Sequence, residues 1–395
     1  MRDGWWEPAV FHVIHIALRC SKMSFVHALW RFVRRETVLA AAVLLAVVSM
    51  FLVPPDAGYL SYIDWDTLSM LFSLMAVMKG FQKAGLFEFL GSGLLHHTRT
   101  SRGMMLVLVF LPFVCSMVVT NDVSLITFVP FALVVLRLAG QEKLVVPVVV
   151  MQTVAANLGS MLTPMGNPQN LYLFNRSGMG FGEVAALHLP YALLAAAGLL
   201  ALCCLRKREE TAVAAAPAGF SGTRPLIWSA AGFVLCLFGI FNLLPPVFIA
   251  AVVALFLLFA DRRLLLSVDY SLLGTFIAFF IFIGNLGSIG PFRDFLSSVL
   301  SGHEVPVAVL ASQVISNVPA ALLLSGFSDN WAGLMVGCNL GGLGTLIASM
   351  ASLISYKLVA RDYPAEKGRY FKQFTLYNLG FLAALLALWW LLGTT

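Results

Sequence analysis

Thr120-Asn121-Asp122 and Ser316-Asn317-Val318 are short polar phrases set in otherwise apolar stretches. Each is followed by a second interruption that opens on Asn-Leu-Gly, at Asn157-Leu158-Gly159 and at Asn339-Leu340-Gly341. Amide and hydroxyl oxygens of this kind suit a hard cation such as Na⁺. A chain that turns at such a phrase also presents a helix C-terminus, whose carbonyls draw cations, and a helix N-terminus, whose N–H groups hold anions. Thr120 and Ser316 place hydroxyls beside Asn121 and Asn317. Asp122 is the acid at the first tip, and Val318 stands at the equivalent place in the second. An Asp in hydrocarbon costs at least about 3 kcal/mol, so ion coupling is one expectation for Asp122. Capping the helix that follows it is the other, and the two are compatible.

The second interruptions are longer. Between Asn157 and Asn170 lie Gly159, Gly166, Pro164 and Pro168 as well as Thr163 and Asn167, and no continuous helix survives that run. Asn339 to Thr345 carries Gly341, Gly342 and Gly344, which let backbone approach a ligand closely. One such break alone is as readily explained by small residues that let helices cross closely. A matched set in two halves points instead to a solute site at the membrane midplane.

Other polar residues carry less. The pairs His12 and His15, His96 and His97, and Cys203 and Cys204 lack a third metal ligand and are expected to be interfacial or packing residues. The six cysteines show no metal-ligand spacing, and disulfides are not expected. No Gly-Lys nucleotide loop or His-Glu-x-x-His site occurs, which argues against an ATP-driven pump within this chain, a zinc protease, or an enzyme of any kind. No cofactor is expected beyond Na⁺ or H⁺ as coupling ion. A formal charge of +6 indicates orientation here rather than nucleic acid.

The elements that must position these residues follow from composition. Of 395 residues 60% are hydrophobic and 11% charged, against about 25% charged in soluble domains, and the mean hydropathy is +0.90. Complete spans are expected near 37–54, 63–82, 145–174, 182–205, 225–243, 246–260, 269–288, 331–357 and 373–393, with 145–174 and 331–357 broken. The segments 103–140 and 304–328 read as re-entrant hairpins with arms of about ten to sixteen residues, too short for a typical span. Segments 83–98 and 291–301 should lie along the surface and lead into them. With the N-terminus in the cytoplasm and the C-terminus outside, all Lys and Arg except Arg176 and Arg293 fall on the cytoplasmic side, 23 of the 25. A hairpin that crossed fully would destroy this bias.

The domain organisation is a duplication. Residues 1–36 form a basic, aromatic interfacial segment, with Met23 a plausible start. A first repeat covers 37–205, a cytoplasmic linker 206–224, and a second repeat 225–395. Asp66 leading to Gly85 parallels Asp269 leading to Gly290; Asn121 parallels Asn317, Asn157 parallels Asn339 and Thr163 parallels Thr345. The partner of span 37–54 lies five crossings on, an odd number, so the second repeat is inverted.

These motifs resemble the ion transporter superfamily, which includes divalent anion–sodium symporters, citrate transporters, arsenite permeases and some sodium–proton antiporters. The resemblance runs from about residue 37 and is closest to the anion-permease or citrate-transporter-like branch. It implies a homodimer in which a scaffold part holds the partner and a transport part carries the hairpins, elevator-fashion, across the membrane. It also implies one Na⁺ site at Thr120, Asn121 and the Gly159 backbone, and another at Ser316, Asn317 and the Gly341 backbone. Asp122 and Val318 depart from the dicarboxylate symporters, which carry Thr there. The Thr-Asn-Asp phrase resembles the arsenite-permease and antiporter branches, and Gly166-Asn-Pro-Gln-Asn170 the anion permeases.

The expectation is an all-α polytopic protein of a bacterial-type inner membrane, an inverted-repeat secondary transporter with two re-entrant hairpins and two discontinuous helices. It moves a small anion, a di- or tricarboxylate or an inorganic oxyanion, with Na⁺ or H⁺. The alternatives are a sodium–proton antiporter or an arsenite-type efflux permease that uses Asp122, the latter also as the membrane subunit of a separate ATPase.

Overall fold

The computed structural model describes residues 36–96, 98–210 and 222–393, together with residues 33 and 219. Nearly all of the expected interfacial segment 1–36 and the middle of the linker 206–224 lie outside the described residues, as does His97. The described residues form helices without strands, apart from an isolated bridge between Thr100 and Glu210. The chain is an all-α polytopic membrane protein.

In the first half the helices are α1 (Thr37–Met50), α2 (Tyr59–Tyr62), α3 (Trp65–Ala84), α4 (Leu86–Leu95) and α5 (Ser101–Cys115). They continue with α6 (Asn121–Leu138), α7 (Val145–Gly159), α8 (Pro168–Ser177) and α9 (Phe181–Cys204). After α10 (Thr223–Ile240) come α11 (Pro246–Ala260), α12 (Arg262–Leu266), α13 (Tyr270–Gly287), α14 (Gly290–Leu300) and α15 (Glu304–Ile315). The chain ends with α16 (Asn317–Leu324), α17 (Trp331–Gly341), α18 (Met350–Asp362) and α19 (Lys367–Leu392).

Local chemistry explains where these helices start. Asp64 caps α3 by accepting from the Thr67 N–H at 2.9 Å, and Asp269 caps α13 by accepting from Leu272 N–H at 3.0 Å. The structural counterpart of Asp269 is thus Asp64, whereas the sequence comparison had paired it with Asp66. Gly85, at φ 77°, ends α3 in the left-handed conformation and turns the chain into α4.

Six described helices are long and apolar enough to cross a membrane, those within 121–138, 142–162, 181–204, 223–240, 270–287 and 364–392. The expected spans 37–54 and 246–260 form helices of only 14 and 15 residues. At 1.5 Å per residue these cover about 20 Å, short of a hydrocarbon core of about 30 Å. Helix α3 has 20 residues but carries Asp66, Lys79 and Lys83. The broken segment 331–357 leaves pieces of 11 and 13 residues. Helix α6 runs for 18 residues straight through Pro130, longer than the arm the sequence suggested. Helices α14 and α15 meet at 111°, which sets the surface segment off from the helix it feeds.

Helix α7 is the centre of the fold. Every residue from Val145 to Gly159 is buried, as its apolarity on all sides demands. Helices α5, α6 and α19 pack around it, through side chains such as Met104, Val129 and Phe374. A second apolar cluster joins α3, α10, α11 and α13 around Met70 and Phe276. Large apolar side chains such as Leu193, Phe259 and Trp390 remain exposed on the outer helices, as a lipid-facing surface requires. Part of the linker is also fixed: Ser101 N–H donates to Glu209 O at 2.9 Å, and Arg102 donates to Arg206 O at 2.8 Å.

Gln152 ties α7 to both neighbouring arms. Pro112 lacks an N–H, so the Leu108 carbonyl four residues earlier has no helical donor. Gln152 Nε2 donates to that carbonyl at 2.8 Å and to Phe128 O at 3.3 Å. Gln152→Leu should therefore destabilise the protein by about 1 kcal/mol. In a Pro112→Ala background, where Leu108 regains its helical partner, the same change should cost clearly less. Equal losses in both backgrounds, measured by unfolding in detergent, would remove this account.

Candidate functional site

The first tip is closed on itself. After α5 the chain turns back, bringing Ser124 Oγ within 3.3 Å of the Pro112 carbonyl it donates to. Thr120 caps α6, with Oγ1 accepting from Val123 N–H at 3.5 Å. Asn121 Oδ1 accepts from Asp122 N–H at 2.9 Å. Asn121 Nδ2 then donates to Asn157 Oδ1 at 2.9 Å, which joins the tip to the first broken helix. The capping expected of Asp122 is thus performed by its two predecessors. Asp122 Oδ1 is shielded from solvent and has no hydrogen-bond partner among the described residues.

Both expected breaks are present. Between α7 and α8 stand two 3₁₀ turns, Ser160–Leu162 and Pro164–Gly166, and between α17 and α18 residues 342–349 form no regular helix. Two asparagines bind the breaks to one another. Asn157 Nδ2 donates to Ser352 Oγ at 3.3 Å, and its Oδ1 accepts from Ser349 Oγ at 3.1 Å. Asn339 Nδ2 donates to Asn170 Oδ1 at 2.8 Å. Position 339 follows 157 by the same interval as 352 follows 170, so these two contacts are images of each other. Within the first break Asn167 Nδ2 donates to Ser160 Oγ at 2.6 Å, and Thr163 Oγ1 donates to Met117 O.

The second tip is built differently. Ser316 sits at φ 73° and ψ 154°, a region that glycine tolerates and serine does not, at a cost of about 1–3 kcal/mol. Bonds to the second break hold it there: Asn317 N–H donates to Ala348 O at 3.0 Å, and Ser316 Oγ donates to the same oxygen at 3.4 Å. Gln313 fastens that break further. Its Nε2 donates to Gly341 O at 3.0 Å and Leu343 O at 2.9 Å, while its Oε1 accepts from Thr345 N–H at 2.9 Å. Thr345 Oγ1 donates to Gln313 O at 3.2 Å.

The twelve residues singled out in the sequence fall into distinct groups here. Asn121, Asn157, Asn339, Ser316 and Asn317 are buried and converge on the breaks. Gly159 and Gly341 serve close packing instead. A Cβ at Gly159 would lie 2.0 Å from Phe113 O, and one at Gly341 would lie 2.5 Å from Ser312 Oγ. The Gly341 carbonyl expected at a cation site is already engaged by Gln313.

Sequence reasoning missed Gln313, Ser349, Ser352 and His188. His188 Nδ1 lies 2.9 Å from Val184 O and its Nε2 lies 3.2 Å from Asn339 Nδ2. It also missed Gln169, fully buried at the start of α8, whose two amide atoms have no partner among the described residues. Asn167 Oδ1 beside it is likewise unpartnered. The cue was the Gly-Asn-Pro-Gln-Asn run, in which a glutamine stands at membrane depth.

Gly159→Ala should cost more than about 2 kcal/mol and reduce the folded yield, because backbone must move to admit the methyl. Gly341→Ala should be milder though still destabilising, since the added methyl would meet Ser312 Oγ and Cβ at 2.5 and 2.7 Å rather than a backbone carbonyl at 2.0 Å. Ser316→Gly should raise thermal stability by about 1 kcal/mol. A melting series of the three variants checks the order, and an unaffected Gly159→Ala protein would contradict the packing role.

Comparison with known proteins gives this arrangement a setting. A family model described as citrate transporter matches residues 25–332. The chain is 33% identical to an uncharacterized transporter of Methanocaldococcus jannaschii over 301 residues, covering 75% of this chain and 81% of that protein. It is 31% identical to inner membrane protein YbiR of Escherichia coli over 325 residues, 81% of this chain and 85% of the relative. A silicon efflux transporter of rice, LSI3, is 33% identical over 187 residues, 47% of this chain and 37% of the rice protein. A chain with this helical architecture and these matches is a transporter rather than an enzyme, and it belongs to the citrate transporter family.

Proposed function

We propose that this protein is a secondary active transporter that carries a small anion through a site between its two broken helices, coupled to Na⁺ or H⁺. The observation that supports this best is the reciprocal bonding of Asn157 to Ser352 and Asn339 to Asn170, with both tip asparagines beside it. A membrane protein that leaves the helix twice and gathers uncharged amides and hydroxyls at the gap has the chemistry of a solute site. Among the partner-free amide atoms at the start of α8, Gln169 Nε2 can donate to a ligand oxygen beside the helix N-terminus, while Asn167 Oδ1 and Gln169 Oε1 can accept from a ligand hydroxyl or face a cation. The two halves form an inverted repeat, the hairpins at 103–140 and 304–328 are re-entrant, and the protein works as a homodimer by an elevator motion. Its membrane is a bacterial-type inner membrane, with the N-terminus cytoplasmic and the C-terminus outside.

One observation favours a second reading. The unpartnered Asp122 Oδ1 at the first tip suits a proton or a cation better than an anion. Sodium–proton exchange, or efflux of an arsenite-type or silicon substrate as the rice relative's name suggests, would use it directly.

Uptake into proteoliposomes against citrate, succinate, sulfate, arsenite and silicic acid, with an imposed Na⁺ or proton gradient, separates these readings. Gradient-driven accumulation of one anion, reduced at least about tenfold by Asn121→Ala or Asn317→Ala, is the expected result. Sodium-triggered proton movement that needs Asp122, with no anion uptake, would replace it by the antiporter. Full transport in a correctly inserted Asn121→Ala protein would remove the tip from the site altogether.

A further inference from the structure

A polar cavity of about 390 Å³ lies where the start of α5, the α6–α7 turn, the end of α9 and the start of α19 meet, and no residue of either break lines it. Its wall carries Arg102, Lys143, Arg206, Lys207 and Arg369 against one carboxylate, that of Glu209. Glu209 is already an internal guest. Its two oxygens each lie 2.7 Å from Lys143 Nζ, and one accepts from Gln141 Nε2 at 3.2 Å. The Lys143 ammonium, then the Gln141 amide, hold its carboxyl below the usual carboxylate range. The strand-like segment that delivers it is fixed in place by the Thr100–Glu210 bridge and by Ser101, which bonds Glu209 through both its N–H and its hydroxyl. Glu209 answers Lys143 and Glu366 pairs with Arg369 at 3.3 Å, so an anion of higher charge has Arg102, Arg206 and Lys207 left to meet and Arg369 to share. Guanidinium forks and ammonium groups together are the combination that phosphate oxygens fit. This is the face to which the distribution of Lys and Arg assigns the cytoplasm, and basic pockets there bind phosphate headgroups.

We propose that this cavity is a binding site for a phosphate group, with the Glu209 carboxylate as its built-in competitor. The site is separate from the transport site and stands whether or not that reading holds. The full-length protein in detergent is titrated with inorganic phosphate, and separately with mixed micelles that contain phosphatidylglycerol or only phosphatidylcholine, with the melting temperature as readout. Lys207→Gln combined with Arg369→Gln should weaken binding about thirtyfold, and Glu209→Gln should tighten it about fivefold. Arg361→Gln, a change in a surface ion pair elsewhere, should leave it unchanged. A shift with inorganic phosphate identifies a soluble ligand, and a shift with phosphatidylglycerol micelles alone identifies a lipid headgroup; either supports the site. No shift with any probe, or equal shifts in the wild type and in the Lys207/Arg369 variant, would overturn it.

Discussion

Backbone that leaves the helix within a membrane must find its hydrogen-bond partners inside the protein, and the rest of this structure answers to that demand. Backbone bonds within the breaks give part of the answer, and neutral side chains give much of the rest. Asn157, Asn339, Asn170, Ser349, Ser352 and Gln313 bond the gaps to one another and to the tips. Neutral amides can both donate and accept and carry no Born penalty, so a network of them holds irregular backbone at far lower cost than paired charges would. Helix α7 then has to be enclosed on every side, because the break it leads into is tolerated only within protein.

The two halves solve the same problem unequally. At the first tip Asn121 bonds directly to Asn157 and the backbone stays in ordinary extended conformation at Thr120. At the second, Ser316 takes a strained conformation and the connection runs through the backbone of Ala348 and the side chain of Gln313. Asn339 Oδ1, the atom equivalent to the one Asn121 engages, has no partner among the described residues.

Much of this was legible in the sequence, for physical reasons. Glycine and proline punctuate a chain unambiguously, so the breaks after Gly159 and Gly341 and both tips fell where they were expected. Apolar length is a cruder signal. It read α1 and α11 as complete spans although they stop at 14 and 15 residues, and it gave the arm that forms α6 fewer than its 18 residues. The roles of individual polar groups were least accessible. Nothing local distinguishes a glycine that admits a ligand from one that admits a neighbouring helix, as Gly159 does for Phe113. From sequence Asp122 could serve as a coupling group, as a cap, or as both, and the capping bonds at the start of α6 come from Thr120 and Asn121. Gln152 and Gln313 act on carbonyls far away in the chain, and their partners are defined only once the helices are side by side.

The reciprocal bonds also have a consequence for biosynthesis. Asn157 and Ser352 are 195 residues apart, and at roughly 5–20 residues per second the ribosome needs about 10–40 seconds to travel between them. Through that interval the first half is complete in covalent terms, yet Asn157 Nδ2 and Asn170 Oδ1 still lack the partners in the second half that will later satisfy them. Such a half cannot rest in lipid as a finished unit. It must keep its gap hydrated, or sheltered by the insertion machinery, until its twin emerges, and the last step of assembly is the closing of one break upon the other.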